Sequence, residues 1–590
     1  MYPVAASYKE QMDRALRNPS HVRIVFGVTD PDAPAASLPK DNGHELFSRV
    51  DSVDIGLSVP SPYQTLEKNR FILDGRSPLA PDKDFLYQGF VSAAISGDDC
   101  VFTKPPMVTI LFNEYLKFAA LTIYFDSVMD EYAAEWSLQC YYDDTEVLNR
   151  VYYPTGTEFV TPDQIPLCNK VVMTFTKTRR PHRRLRLSQI IYGVISSLTA
   201  SDIKECQQTT SMDIVSSSLP YEMFSFTILD VQQRYDPENT QGVWEYLESR
   251  QPVTANIGYE LDDGSVEWLP WCNTYSTGNV KVQHGGVVTE VTIETESLIQ
   301  QLTKTFTQGV YRANGATLAQ LAEEVMVFAG YPNILNVDAS LNNITTLMPL
   351  PDVSVAQCLQ LIANAAMCVL ITDRSGSPAI VKISDDDPVE DFEMNFKKMK
   401  DKPVTSKYPI LRNFTTDYKH VLVNDEVTTL IDNATVTGAD NTAIEFSYQM
   451  AANQTVTVSS GLTLVSATHY AQRSTLVLTG SGTVTISGKA IETQAVGYTK
   501  IVHEVGEDLE MYNELITSYD HAKQYADWVA ACMERRIEYT VEDRGFPELD
   551  LGDTLSFETN FGNIVPVNVM KKTLKFNGTI SGSGTYLVRR

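Results

Sequence analysis

SSSLPYEMFSFTILDVQQRYDPENTQGVWEYLESRQPVTANIGYELDDGSVEWLPWCNTY, residues 216–275, is the stretch on which the fold turns. MFSFTILD (223–230) and TANIGYEL (254–261) alternate apolar with polar residues, the period of a strand that buries one face. Asp262, Asp263 and Gly264 between two such runs make a good hairpin turn, because Asp and Gly accept the backbone angles it needs. Leu219–Pro220 opens a strand, and the Pro and Gly residues set turns. In the long RYDPEN loop (234–239), Arg and Asp can tie the loop back to the strands.

Outward from this stretch, VVTEVTIETESL completes a β-rich unit over about 196–305. The period then changes. TLAQLAEEVMVFAG (317–330) reads as a helix with Thr317 as N-cap and Gly330 as terminator, and SVAQCLQLIANAAMC (354–368) as a second. They form a short α/β lobe within 306–402, whose clusters DDDPVED (385–391) and KKMKDK (397–402) read as a solvated linker face. Strands resume over 403–590, with a helix at SYDHAKQYADWVAACMERRI (518–537). Within them, Phe446 to Gly488 holds one charged residue (Arg473), no proline and repeated Thr/Val alternation, which reads as a small β domain inserted at about 425–500.

On the N-terminal side, residues 1–195 begin with a short helix whose Val4, Tyr8, Met12 and Leu16 share one side. Val22, Ile24 and Phe26 and then Val53, Ile55 and Leu57 keep strand alternation. From about 90 to 195 the runs MVTILF, AALTIYFD, EWSLQCYY, NKVVMTFT and RRLRLSQIIYG suit an antiparallel sandwich. LTIYFD (121–126), EWSLQCYYDD (135–144) and NKVVMTFTKTRRPHRRLRLSQIIYG (169–193) resemble galactose-binding-like jelly rolls in strand order and texture. That resemblance implies a module that often binds sugars and often serves only as a spacer.

The 590 residues imply roughly three to five domains. A net charge of −27 argues against a protein whose main task is to grip phosphate backbone. The N-terminus has no apolar signal core and no apolar run approaches the roughly 18 residues of a spanning helix, so the expectation is a soluble chain made in a cytoplasm. The eight cysteines never take CxxC spacing and read as buried free thiols.

Little in the residues points to catalysis. The eight histidines form neither HExxH nor HxH, and His503 and His521 beside a helix start read as surface or core residues. GxSxG, Walker A and GxGxxG patterns are lacking, and the glycines at 480–482 and near the C-terminus belong to hairpins. Asp143–Asp144, Asp262–Asp263 and Asp385–Asp387 are carboxylate pairs in turn-like contexts. The expectation is no catalytic residue, no metal, no cofactor, and no carbohydrate-binding residue that can be named. TKTRRPHRRLR (176–186) is the one dense basic run. Its arginines face water if Leu185, Leu187 and Ile190 continue a strand. Alternatively they grip sugar phosphates, teichoic acid or an acidic neighbouring subunit.

The stretch 216–275 closely resembles the hub domain of tail proteins from phages and phage-tail-like particles of Gram-positive bacteria. The likeness is carried by Leu219, Pro220, Arg234, Tyr235, Asp236, Pro237, Asn239, Arg250, Gln251, Pro252, Gly264, Glu267 and Trp268. MYPV at the start, TLEKNRFILDG (65–75), LAEEVMVFAG (321–330), QCLQLIANAAMC (357–368) and RGFPELDLGD (544–553) agree with it in order. The fold so implied is mainly β with a small α/β lobe. An N-terminal β-sandwich is followed by two tube-like hub β-barrels, near 196–305 and 403–590.

The family resemblance implies a structural virion protein, a baseplate hub or tail-tip component assembled in the host cytoplasm. As a homotrimer it would present six barrels and cap a hexameric tail tube. Implied partners are the tail tube or distal tail protein ring, the tape measure protein and other baseplate proteins. Host cell-wall glycan is a further candidate, and genomic DNA a partner in passage only. Many tail-tip relatives end in a peptidoglycan hydrolase or a long fibre, and this chain stops at Arg590 without either. A carbohydrate-binding adhesin and a glycan-degrading enzyme are the rival readings. If DNA passes through a channel, an acidic wall suits sliding, because a basic one would bind the duplex.

Overall fold

The computed structural model describes residues 1–590 except 46–47, 55–66, 71–88, 216, 241, 286–287, 384–388 and 590. Ile55, Leu57, most of TLEKNRFILDG and Asp385–Asp387 therefore lie outside the described residues.

One 16-stranded sheet runs through most of the molecule. Its main path passes from Val404–Lys407 through Ile537–Asp543, Ile580–Val588 and Ile564–Phe576 to Ile203–Ser211. It continues through Tyr221–Asp230, Thr289–Glu296, Val266–His284, Ser249–Glu260, Ser20–Thr29 and Arg184–Thr199 to Leu121–Phe125 and Glu158–Val160. The chain is mainly β with a small α/β lobe, as expected, but no sheet closes on itself among the described residues. Two separate closed barrels are not what forms. Ile203–Ser211 pairs on one side with Tyr221–Asp230 and on the other with Ile564–Phe576, setting Cys206 opposite Phe576. The edge that a first closed barrel would need is taken up by the C-terminal unit instead. Alternation drives the core beneath: Phe224, Phe226 and Ile228 meet Val253, Ala255 and Ile257 and, from the C-terminal unit, Leu555, Phe557 and Val567.

The short N-terminal helix is Ala6–Asp13. Tyr8 and Met12 enter this same core, as do Val22, Ile24 and Phe26, although the sandwich strands follow them in sequence. Leu16, expected on the helix's buried side, lies past its end and is 88% exposed.

The N-terminal unit has a five-stranded antiparallel sheet in the order Ser37–Asp41, Met107–Phe118, Ile165–Thr178, Ala133–Tyr142, Thr145–Tyr152. Opposite it lie Phe90–Ile95, Leu121–Phe125 and the first half of Arg184–Thr199, and both layers feed one core around Trp136, Phe175, Ile123 and Leu187. Arg184–Thr199 crosses from this unit into the central sheet. Gly193, with φ +147°, sits at the crossing opposite Thr29.

The helices of the lobe are Leu318–Phe328 and Val355–Ala365, each opened by a capping box, from Thr317 to Gln320 and from Ser354 to Gln357. They pack with a three-stranded sheet around Leu321, Val325, Leu359 and Ile362. Beyond the lobe, Leu411–Ser447 and Arg473–Ile501 pair antiparallel from Asn413 opposite Ile501 to Ser447 opposite Arg473. Ala451–Val458 and Leu462–His469 join this long arm, whose outer part has its own core of Val436, Leu476, Leu478 and Ile486. Helix Tyr519–Met533, capped by Ser518, lies against its base. Arg473, the one charged residue between Phe446 and Gly488, pairs with Asp352 of the lobe and with Glu445.

Candidate functional site

Each part of 216–275 has a definite mechanical place. The Asp262–Gly264 turn links Ser249–Glu260 to Val266–His284, with Gly264 at φ +79° and its N–H on the Leu261 carbonyl at 3.0 Å. The RYDPEN loop is tied by two aspartates, Asp230 at the end of the preceding strand and Asp236 within the loop. Asp230 Oδ2 accepts the Tyr235 N–H at 2.8 Å, and Asp236 Oδ1 accepts that of Glu238 at 2.8 Å. Buried Tyr235 reaches Ser196 Oγ at 3.3 Å. Asn239 Nδ2 donates to the Gln233 carbonyl at 2.8 Å, while the side chains of Arg234 and Pro237 are exposed. Gln251 is buried and donates to the carbonyls of Thr29 and Tyr246 at 3.0 and 2.6 Å. Arg250, at φ +66°, pairs with Asp32, and Pro252 stands opposite Tyr275. Leu219 packs on the lobe, followed by half-buried Pro220.

The separated pieces of sequence that share the family resemblance come together. Glu267 accepts the Ala5 N–H at 2.9 Å, the Arg23 guanidinium lies over the Trp268 ring at 4.6 Å, and Arg14 forks onto Asp262 with two bonds of 2.7 Å. The Tyr2 N–H donates to the Glu548 carbonyl at 2.8 Å, and the Tyr8 hydroxyl to Glu548 Oε2 at 3.1 Å. Arg374 of the lobe donates to Asp550 Oδ1 at 2.6 Å and to the Pro270 carbonyl at 3.1 Å. Lys572 donates to the carbonyls of Pro547 and Leu549 at 3.2 and 2.5 Å. RGFPELDLGD is thus the knot joining N-terminus, lobe and both halves of the sheet. Burial sets its electrostatics: desolvation raises the Glu548 carboxyl, and desolvation followed by Arg374 lowers Lys572 to about 8. A cavity of about 40 Å³ beside the knot is lined by Glu222, Trp271, Thr372, Arg374 and Lys572 among others. Burial there lifts Glu222 to about 7, against the opposing bonds from Gln208 and Thr372.

The basic run faces water only in part: Arg179 is exposed and Arg180 half-buried, but the arginines that follow do not face water as expected. Leu185, Leu187 and Ile190 do continue a buried strand, but Arg183, Arg184 and Arg186 are buried too. Arg186 pairs with Glu67 at 2.5 Å, Arg70 with Asp126 at 3.1 Å, Arg183 with Glu131 at 3.1 Å and Arg184 with Glu45 at 2.6 Å. A buried charge must be paired, and here residues 67–70 and the turn at 126–131 cover the arginine face with acids. In KKMKDK, Lys397, Lys400, Asp401 and Lys402 are exposed as expected, but Lys398 pairs with Asp13 at 3.1 Å, its ammonium 4.0 Å from the Phe392 ring centre, and Met399 is buried.

His521 is buried against the Ala365 carbonyl at 2.8 Å, and His503 meets Glu534 on the surface at 2.6 Å. Seven of the eight cysteines are buried and all are free; Cys100 is half-buried. Among the described residues no three His, Cys, Asp or Glu side chains converge as a metal cluster.

One end of the sheet is open. All four residues of Val404–Lys407 are exposed, and among the described residues this strand pairs on one side only. Asn560 Nδ2 donates to the Pro403 carbonyl at 3.1 Å, which brings the 559–563 turn beside it. There Phe561 is 94% exposed, and Val404 is 66% exposed. Tyr408 and Ile564 are exposed as well.

Solved structures similar to this chain include several tail proteins. The tail protein from Neisseria meningitidis MC58 has 10% identity and a TM-score of 0.39, over 66% of this chain and 93% of that one. The 43 kDa tail protein of prophage MuSo2 from Shewanella oneidensis has 10% identity and a TM-score of 0.38, over 66% and 94%. Prophage tail protein gp18 from Listeria monocytogenes EGD-e has 9% identity and a TM-score of 0.34, over 66% and 91%. No family model matches the sequence, and no curated protein does.

Sequence reasoning missed the knot, the buried ion pairs and the exposed edge. Glu548 had no signal, since a Glu between Pro and Leu in a turn-rich segment reads as solvated. Phe561 had a weak one: an aromatic inside Asn560-Phe561-Gly562-Asn563 sits where turn residues are wanted.

Proposed function

We propose that this chain is a structural hub at the tip of a phage tail or phage-tail-like particle. Three copies close the distal end of the tail tube, contribute to host attachment and leave a passage for the genome. The observation that carries the reading is the single sheet in which Ile203–Ser211 pairs with Ile564–Phe576 and joins two β units edge to edge. One chain thereby supplies two units of a ring, and three chains supply six, the number that matches a hexameric tube. The motif-bearing hairpins of 216–275 lie at the centre of that sheet. Partners in this reading are the tube or distal tail ring, the tape measure protein and other baseplate proteins. The chain acts by assembly, with no catalytic centre, and acidic residues of the sheet line the passage.

Native mass spectrometry of the purified chain, alone and with the neighbouring tail protein, should give a trimer. Monomer under both conditions would sink the hub reading. Release of glycan fragments, abolished by one Asp or Glu substitution, would move the chain to the enzymes.

A further inference from the structure

Tyr115 and Tyr142 stand on the strands Met107–Phe118 and Ala133–Tyr142 of the N-terminal unit. Their rings lie stacked, with centroids 4.6 Å apart and planes inclined by 23°. They remain 44% and 41% exposed, whereas Trp136 and Phe175 of the same unit are wholly buried. The pair is therefore a surface feature: each ring spends one face on the other, leaving aromatic surface open to solvent.

A fixed carboxylate stands beside the rings. The Tyr115 hydroxyl donates to Asp143 Oδ1 at 2.6 Å, and Asn169 Nδ2 donates to the same oxygen at 3.0 Å. Asn169 Oδ1 in turn accepts the Asp143 N–H at 2.9 Å. Asp143 opens the tight turn between Ala133–Tyr142 and Thr145–Tyr152 at φ +54°, a conformation that Asp and Asn tolerate. These bonds hold Oδ1 and leave Oδ2 as an acceptor on an exposed turn. The charge at the rings is that of Asp143, and Asp144 next to it in the turn is exposed as well, while Lys170 lies over the Tyr141 ring at 4.8 Å.

We propose that Tyr115, Tyr142, Asp143 and Asn169 form a binding platform for a neutral or amine-bearing saccharide. The C–H face of a pyranose stacks on an aromatic face, and its hydroxyls need rigid, pre-positioned acceptors at the edge of that face. Both elements are present and already ordered by hydrogen bonds. The Asp143 and Asp144 carboxylates repel an anionic polymer such as teichoic acid and favour an uncharged or amino sugar. The platform is independent of oligomeric state, so its test does not depend on the hub reading.

The full-length protein is titrated by saturation-transfer NMR with cellohexaose, chitohexaose and chitosan oligomers, and with polyglycerol phosphate as the anionic probe. At least one neutral or amine-bearing oligomer should bind, and Tyr142→Ala should weaken it at least tenfold. Asp143→Asn preserves the turn and should also weaken it, which keeps the test open if Tyr142→Ala lowers the melting temperature. Tyr153→Ala, an exposed aromatic at the far end of Thr145–Tyr152, should leave binding unchanged. Failure of every neutral and amine-bearing oligomer at millimolar concentration overturns the proposal, as does preference for polyglycerol phosphate. If Tyr142→Ala spares glycan binding but abolishes assembly with a tail protein, the face is a protein contact instead.

Discussion

Glu222 is a carboxyl held out of water in the middle of the molecule, and its cost depends on pH. Burial lifts it to about 7 from an ordinary 4.5. Between those values the folded chain keeps a proton that the unfolded chain has released. Stability present at low pH is therefore lost as pH rises through about 7, by on the order of 3 kcal/mol. Glu222→Gln keeps an oxygen to accept the Gln208 amide and has no proton to lose. The variant should melt with wild type at pH 4.5 and above it at pH 8; equal melting temperatures at both would refute the assignment. The buried arginines teach a related lesson about legibility. From sequence, Arg183, Arg184 and Arg186 are a cationic run beside apolar residues, and only the strand was readable. Their acids, Glu67, Asp126, Glu131 and Glu45, lie 52 to 139 residues away in the chain, so no local pattern could announce the pairing.

Elements whose signals are local were the most legible. Thr317, Ser354 and Ser518 cap the helices expected to follow them, because an N-cap bond spans only three residues. The Asp262–Gly264 hairpin likewise follows from its own residues. Less legible was the strand Arg184–Thr199, which serves two units by turning at Gly193. A Cβ there would lie 2.2 Å from the Val28 carbonyl oxygen and 2.7 Å from Thr29 Cα, both backbone atoms of the adjacent strand. Gly193→Ala should therefore cost about 3 kcal/mol or more, through positive φ and a clash the backbone cannot relieve. Gly264→Ala, with open space around its Cβ, should cost about 1 kcal/mol, from φ alone. Thermal melts of the two variants side by side check the contrast, and equal losses would mean that the crossing is more pliable than its geometry implies. The arm at 411–501 was readable as β by its Thr/Val alternation. That it is a single ladder with several register shifts was not, because register depends on both strands together.

At the scale of the molecule, the class and the resemblance were legible, but the sharing of one sheet by both β units was not, since pairing of Cys206 with Phe576 spans most of the chain. That sheet leaves Val404–Lys407 as an open edge, with Phe561 and Ile564 bare beside it. An open edge flanked by bare apolar side chains invites pairing with another chain. If that partner is a second copy, association must overcome repulsion between chains that each carry −27. The attraction has to come from short-range burial and edge pairing, which salt does not screen, while the repulsion is screened over roughly 10 Å at 0.1 M. Two consequences follow for the intact protein. Raising salt from 0.05 to 0.5 M (about a threefold shorter screening length) should tighten the trimer. Phe561→Asp should weaken it by roughly ten- to a hundredfold, the worth of one buried aromatic, while leaving the melting temperature of the monomer unchanged. Analytical ultracentrifugation reads both. A trimer that loosens with salt would be held by ion pairs rather than by this edge, and one indifferent to Phe561→Asp would be joined through another face.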